Sequence, residues 1–546
     1  MMKHKLLLAS CTALLSFSLV GCGKSQSGSN TSSDSAKTQT LNWMSSANLI
    51  TLDPSKCVDI TSATTLGNVD RGLLFSPDGK TVEPAVAKSY SVSKDGKTYT
   101  FNLRHSKWSN GDEVTANDFV YGFQRTVNPK TASQDAYVFD HVENYAAIQK
   151  GTASPKTLGV YAPNKYKLVV KLTKPQTYFK YLVTQAAYFP QNEKVANQYG
   201  KKYGTNSSAQ VYNGPFKVTG WSGTNDSWSL VKNDQYWNHN DVKLNRVNMQ
   251  VVKDNQTGLN EYQTGKLDEV SLNGKEQVAH FKGTSQFRQN KSVYSNFIEL
   301  NENKVAAFKN WNIRRALSLA VDREQFVKDV LGDGSTPTKG FVGNNLASYN
   351  GKDFADEGYV KDAASYNLAK AKKLFKKGMA ELHLKTLNLT LTYDDTSAAK
   401  STTEFLQSNF EKLPGLKVSN INVPRQQRIA RSFAGNFDMV VTGWDPSFPD
   451  PIAALSIKTS NSSINFSKWK NKEYDSLLAK SENDDANNLT KRWQDMVKAE
   501  KVFGNDQGAI PFYQNTNPVA LKDNVKGLNY TPTGSVSWDF SKGYVK

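Results

Sequence analysis

The chain has 546 residues, of which 38% are hydrophobic, 11% aromatic and 22% charged, with a formal charge of +18. That length exceeds what one hydrophobic core organises, so two or three compact units are expected, and the aromatic content excludes a disordered chain. The basic residues are scattered and no nucleic-acid-binding motif occurs, which argues against nucleic acid as a partner; the positive excess suits an anionic envelope surface or an acidic ligand.

At the amino terminus, Lys3, His4 and Lys5 precede an apolar run over 6–20. The run is too short and too near the start for a membrane span, and its charged-then-apolar order is that of a secretory signal. It closes on Leu19-Val20-Gly21-Cys22, which resembles the lipobox of bacterial lipoproteins. The resemblance implies a signal over 1–21, a diacylglyceryl group on Cys22 and lipid anchoring at the extracytoplasmic face of a cell membrane. Loss of the signal leaves 66 basic residues against 50 acidic ones, a charge of +16. With Cys11 removed and Cys22 lipidated, Cys57 has no partner for a disulfide and reads as a small buried hydrophobe. Residues 23–39 are nearly all Ser, Thr, Gly, Asn, Gln and Lys, so 22–40 forms a flexible tether that suits a Gram-positive surface, and order is expected from Leu41.

Beyond the tether, 89–92 and 98–103 flank Lys94-Asp95-Gly96, an Asp-Gly hairpin signal, with Tyr99, Phe101 and Leu103 on one face. Thr115, followed by Asp118, opens a helix carrying Phe119 and Phe123. Another half-buried strand is expected over 166–172. Later, Ile313, Ala316, Leu317, Ala320 and Val321 make the apolar stripe of an amphipathic helix. Asp322 then caps a further helix that Gly332 ends. Helices over 367–378, 397–412 and 426–434 alternate with strands at 387–393, 416–423 and 439–441. That order predicts a parallel sheet covered by helices on both faces. The pairs Lys372-Lys373 and Lys376-Lys377 fall on one helix's solvated side.

The stretch 437–451 reads Phe-Asp-Met-Val-Val-Thr-Gly-Trp-Asp-Pro-Ser-Phe-Pro-Asp-Pro. Its apolar, non-alternating start is that of a strand buried on both faces, and its three prolines fix an extended loop. Trp444, Asp445 and Asp450 therefore stand at the carboxyl end of a buried strand, where open α/β sheets bind ligands. Core packing of Trp444 is the alternative reading.

The run Ser93-Lys-Asp-Gly-Lys-Thr-Tyr-Thr-Phe-Asn-Leu-Arg104 and the run Lys107-Trp-Ser-Asn-Gly-Asp-Glu-Val-Thr-Ala-Asn-Asp-Phe-Val-Tyr121 resemble the signature of the oligopeptide-binding proteins of ABC peptide importers. Supporting pieces follow in the family's order: Leu52-Asp-Pro54, Val82-Glu-Pro-Ala-Val-Ala87, Leu158-Gly-Val160, Asn213-Gly-Pro-Phe216, Gly265-Lys-Leu-Asp268, Asn312-Ile-Arg-Arg-Ala-Leu317 and Gly443-Trp444 with Pro449-Asp-Pro451. The resemblance implies an α/β, two-lobed, periplasmic-binding-protein-like fold of type II, in the large peptide-binding subclass, with an extra subdomain in lobe I. Lobe I would comprise 41–72, 205–303 and 516–546, its subdomain 73–204, and lobe II 304–515. It implies a monomeric receptor whose lobes close on an oligopeptide and deliver it to permease subunits of the importer, with no cofactor or metal. Its ligand-binding residues would be Trp444, Asp445, Pro446, Ser447, Phe448 and Asp450 in the loop, Asn48, Leu49 and Ile50 before Leu-Asp-Pro, and Tyr137 in the subdomain. A pheromone sensor or a cationic surface adhesin on the same fold is the alternative.

The loop departs from the family pattern Gly-Trp-x-Ala-Asp-Tyr-x-Asp-Pro. In that pattern the first Asp after Ala pairs with the peptide's α-amino group; here the position is Ser447, with Phe448 beside it. Either Asp445 replaces it, or the ligand's amino end is blocked, lies elsewhere or is not a peptide terminus, because a buried ammonium needs a carboxylate. No Gly-x-Ser-x-Gly, Walker loop, dinucleotide turn or His-Glu-x-x-His occurs, and His105, His141, His239, His280 and His383 show no ligand spacing, so no enzyme is expected.

Overall fold

In the computed structural model, residues 39–533 and 536–546 are described, so the expected signal, Cys22 and all but the last two tether residues lie outside the described residues. The chain enters at β1 (Thr40–Ser45) and α1 (Ile60–Val69). It then builds β2 (Ala87–Val92) and β3 (Thr98–Leu103), the expected hairpin. Tyr99, Phe101 and Leu103 do share the buried face. Helix α2 (Ala116–Val127) starts as read: the Asp118 carboxylate accepts the Thr115 backbone N–H at 2.7 Å and its hydroxyl at 2.8 Å. With β4 (Val160–Asn164) and β5 (Lys167–Lys171) the hairpin completes a four-stranded antiparallel sheet, ordered β2-β3-β5-β4. A second four-stranded sheet, β1-β8-β7-β6, adds β6 (Phe216–Thr219), β7 (Ser227–Lys232) and β8 (Arg246–Val251). Cys57 is buried beside Ala63, Leu66, Ala186 and Phe189, and burial raises its thiol pKa far above the ordinary range.

The third sheet has seven strands. Its members are β9 (Glu269–Ser271), β10 (Phe287–Leu300), β11 (Thr336–Pro337), β12 (Leu387–Asp394), β13 (Leu416–Val423), β14 (Met439–Trp444) and β15 (Ile510–Leu521). The order β9-β15-β10-β14-β12-β13, with β11 on β15, is mixed. Strands β12, β13 and β14 are parallel, as the alternating strands and helices predict, whereas β10 and β15 run antiparallel and were not anticipated. Both of these long strands pass from one core to another. Phe287 and Ala520 pack with Met44, Val270 and Tyr262, whereas Ile298, Leu300, Ile510 and Phe512 pack with the later helices. Their register shifts between Lys291 and Ser295, at the passage.

Helix α3 (Trp311–Ala320) corrects the amphipathic expectation, because its polar side is buried as well. The guanidinium of Arg314 donates to the carbonyls of Phe308, Asp506 and Gln507, and that of Arg315 to those of Gly504 and Asn505. The carbonyls of 504–507 close the far end of a helix at 489–506, and cations there satisfy groups that have no intrahelical partner. Helix α4 (Leu368–Glu381) leads into the first parallel strand, and α5 (Ser397–Phe410) and α6 (Arg425–Phe433) stand between the parallel strands as expected, with Lys372, Lys373, Lys376 and Lys377 exposed.

Glu269, on β9, is 2% exposed, and burial pushes its carboxyl up to about 8. A carboxyl raised in the folded state contributes stability below its unfolded pKa of about 4.3, and that contribution is lost as pH rises through the folded value. Glu269→Gln is therefore expected to be near-neutral at pH 4 and to raise the denaturant midpoint above pH 8; equal effects at both pH values would contradict this.

Candidate functional site

Strand β14 is covered on both faces: Met439 and Val441 pack with Ile298 and Leu391, and Val440 packs with Phe437 and Phe466. It pairs along its full length with β10, but with β12 only at Met439 and Val440. At its end Gly443 meets the Tyr294 ring so closely that an added Cβ would lie 2.3 Å from it. The chain then turns through Asp445-Pro-Ser-Phe-Pro-Asp-Pro451 into α7 (Ile452–Leu455). Two later helices, α8 (Lys472–Glu482) and α9 (Leu489–Asp506), flank this loop.

Trp444 is half-buried, and its indole N–H donates to the Ala453 carbonyl at 2.7 Å, folding the ring back over α7. It packs on the core and also lines a cavity of about 810 Å³, so both readings of this residue hold. The cavity has two walls. One, from residues 137–182, carries Tyr137, Asp140, His141, Lys174 and Tyr178; the other, from the loop and α8, carries Trp444, Ser447, Phe448, Asp475 and Glu482. Tyr137 is exposed at its mouth. Burial, with Lys174 nearby, lowers the His141 pKa to about 4, so its ring is neutral at pH 7.

The loop is clamped from both sides. The Phe448 ring stacks on Tyr178 at 4.6 Å between centroids and 5° between planes, and the Gln185 amide donates to the Ser447 carbonyl at 3.1 Å. The Tyr178 hydroxyl donates to Glu482 at 2.9 Å. Arg492 holds Asp450 through two contacts of 2.7 and 3.0 Å and Glu482 through one of 2.7 Å. Burial works against the charged Arg492, but Asp450 and Glu482 outweigh it and raise its pKa. Asp450, expected to face ligand, thus commits both oxygens to Arg492, and one of them also accepts the Ile452 N–H at 3.0 Å.

The structure brings Tyr137, Trp444, Ser447 and Phe448 together around one cavity and leaves the other expected residues outside it. Pro446 is buried in the loop. Asp445 is exposed on the other side, near Tyr294 and Tyr530; its carboxylate reaches water, yet the protein around it pushes its pKa up to about 7. Asn48 bonds to Asp226, Leu49 is buried in the core of the β1 sheet and Ile50 is exposed, its N–H on Ser62 Oγ at 3.3 Å. Sequence reasoning missed Asp140, Tyr178, Gln185, Glu482 and Arg492, for which no local pattern exists.

A mixed α/β chain in which a pair of crossing strands links successive cores, with a cavity beside the loop after a buried strand, is a solute-binding fold of the two-lobed type II class. Residues 81–466 match the model of the bacterial extracellular solute-binding proteins, family 5 Middle. A dipeptide-binding protein of Lactococcus lactis is 34% identical, over 99% of this chain and 98% of its own. Among solved structures, Listeria monocytogenes OppA bound to peptide is 34% identical with a TM-score of 0.78, covering 93% of this chain and 99% of that one. The pheromone receptor PrgZ is also 34% identical with a TM-score of 0.78, covering 93% and 100%. The chain belongs to the family 5 extracellular solute-binding proteins, a family of binding proteins rather than enzymes.

Proposed function

We propose that this protein is an extracytoplasmic receptor, monomeric and anchored through lipid on Cys22, that binds oligopeptides between its lobes and hands them to the permease of an ABC importer. The carrying observation is the roughly 810 Å³ cavity, with polar and aromatic groups converging on it from two stretches far apart in the chain, 137–182 and 444–483. Relatives of matching length that are named for dipeptide binding or solved with peptide support that ligand class. We place the hinge where β10 and β15 pass between cores, at Lys291–Ser295 and Gln514–Thr516, and keep the boundaries at 303/304 and 515/516 as part of this proposal. With Ser447 at the family's carboxylate position and Asp445 on the far side of the loop, the ligand's ammonium group pairs instead with the carboxylates that line the cavity, Asp140 foremost. A signalling role with one defined peptide is the second reading, favoured by the similarity to a pheromone receptor.

Native mass spectrometry of protein purified from its own cells tests this. Co-purifying short peptides of mixed sequence with free amino ends are expected; one defined species would favour signalling, and blocked amino ends would remove the role of Asp140. In the site itself, Trp444→Ala is expected to weaken peptide binding by about 2 kcal/mol, roughly 30-fold, as for a central aromatic anchor. Unchanged affinity would remove the site assignment.

A further inference from the structure

A second cavity, of about 490 Å³, lies beyond the clamp. Its walls include Lys80, Lys180 and Tyr181 on one side and Tyr349, Trp493 and Asp450 on the other. The loop after β14 divides the two spaces. Ser447 and Phe448 face the first and Pro449, Asp450 and Pro451 the second, while Tyr178 lines both. The partition is thus thin and made of side chains: the stacked Tyr178 and Phe448 rings, backed by Glu482 on one side and Arg492 on the other. Of the two rings Phe448 is the freer: it is half-buried, whereas Tyr178 is 7% exposed, bonds Glu482 and lies under the Arg492 guanidinium at 5.5 Å.

The charges differ across this wall. The first chamber carries Asp140, together with Glu482, held by Arg492 and Tyr178, and Asp475, which accepts the Ser460 N–H at 2.9 Å, against Lys174 and a neutral His141. The second carries Lys80 and Lys180, together with Arg492 already matched by Asp450. Its Asp353 carboxylate is taken up by backbone N–H groups of Asn345 and Ala355 at 2.7 and 2.9 Å. A chain with an ammonium at one end and a carboxylate at the other fits this order in one direction only.

Building on the peptide-receptor reading, we propose that the two cavities are one interrupted site and that the Tyr178–Phe448 pair is its length gate. Peptides that fit the first chamber bind with the wall closed. Longer ones must part the rings, and they place their carboxylate end in the second chamber near Lys80 and Lys180. Each chamber alone falls within the 300–1,000 Å³ of ordinary small-ligand sites, whereas the open pair would take a larger ligand.

Isothermal titration with an alanine-rich peptide series from dipeptide to octapeptide tests the gate. In the unsubstituted protein, affinity should fall roughly tenfold once peptides outgrow the first chamber, because ring displacement then opposes binding. Phe448→Ala should raise the long-to-short affinity ratio about tenfold, whatever its effect on short peptides; Phe448→Leu, which keeps an apolar filler, is the substitute if the alanine variant does not fold. Lys180→Glu should lower the same ratio. A ratio unmoved by Phe448→Ala and Phe448→Leu overturns the gate, and so does an unsubstituted protein that binds all lengths alike. Absence of binding at every length instead overturns the peptide reading itself.

Discussion

Replacing Lys458 with alanine is expected to lower the stability of the protein by about 3–5 kcal/mol, the usual cost of breaking a buried ion pair. Lys458 is fully buried and Glu299, on β10, is 1% exposed; the two are in direct contact. Burial pulls the Lys458 ammonium below its ordinary pKa while Glu299 opposes the shift. The ammonium also lies 4.7 Å from the Phe297 ring and 5.4 Å from that of Phe341. In Lys458→Ala, Glu299 keeps only Ser467, whose hydroxyl and backbone N–H donate to it. Burial disfavours the charged form of a carboxyl that has lost its cation, so the deficit of the variant grows as pH rises. Urea midpoints at pH 4.5 and pH 8 read this directly. The paired variant Lys458→Met with Glu299→Leu should recover most of the loss, since apolar groups of similar size replace both charges. A single variant as stable as the parent at pH 8 would show that this pair contributes nothing.

The family signature is written mostly in fold residues. In Leu52-Asp53-Pro54, Asp53 takes the Arg125 guanidinium at 2.6 and 2.7 Å and so pins α2 to the first body. In Asn213-Gly-Pro-Phe216, the Asn213 side chain bonds both the N–H and the carbonyl of Arg71, and a Cβ on Gly214 would lie 2.6 Å from the Val69 carbonyl carbon. Trp108 of the second signature run is 1% exposed. Such positions tolerate few residues, which makes them visible in a sequence. Strand β10 was not legible, because its first half crosses between bodies with exposed and buried residues in no period of two. The loop at 444–448 was legible because an apolar strand followed by prolines has few structural readings. Its partners were not. Phe448 meets Tyr178 and Ser447 meets Gln185 across more than 250 residues of chain, and nothing local to either marks the pairing.

Arg492→Ala is expected to cost a further set of about 3–5 kcal/mol and, more tellingly, to weaken ligand binding without touching the first cavity's lining. Arg492 is 5% exposed, and its partners Asp450 and Glu482 are 14% and 12% exposed, so its removal leaves two carboxylates facing one another in a poorly hydrated space. Their repulsion acts on the two elements that position the site: Asp450 ends the loop carrying Ser447 and Phe448, and Glu482 holds the Tyr178 hydroxyl. Arg492→Lys should recover only part of either effect, because one ammonium cannot reproduce the planar fork that reaches two carboxylates at once. Asp450→Asn combined with Glu482→Gln in the alanine background should restore more, since it removes the unbalanced charge that the single variant creates. Thermal unfolding and peptide titration on the same four proteins separate the outcomes. If affinity stays at the parent value while stability falls, the network supports the helix packing alone and the loop holds its shape through the Phe448 stack and the Gln185 bond without help from Arg492.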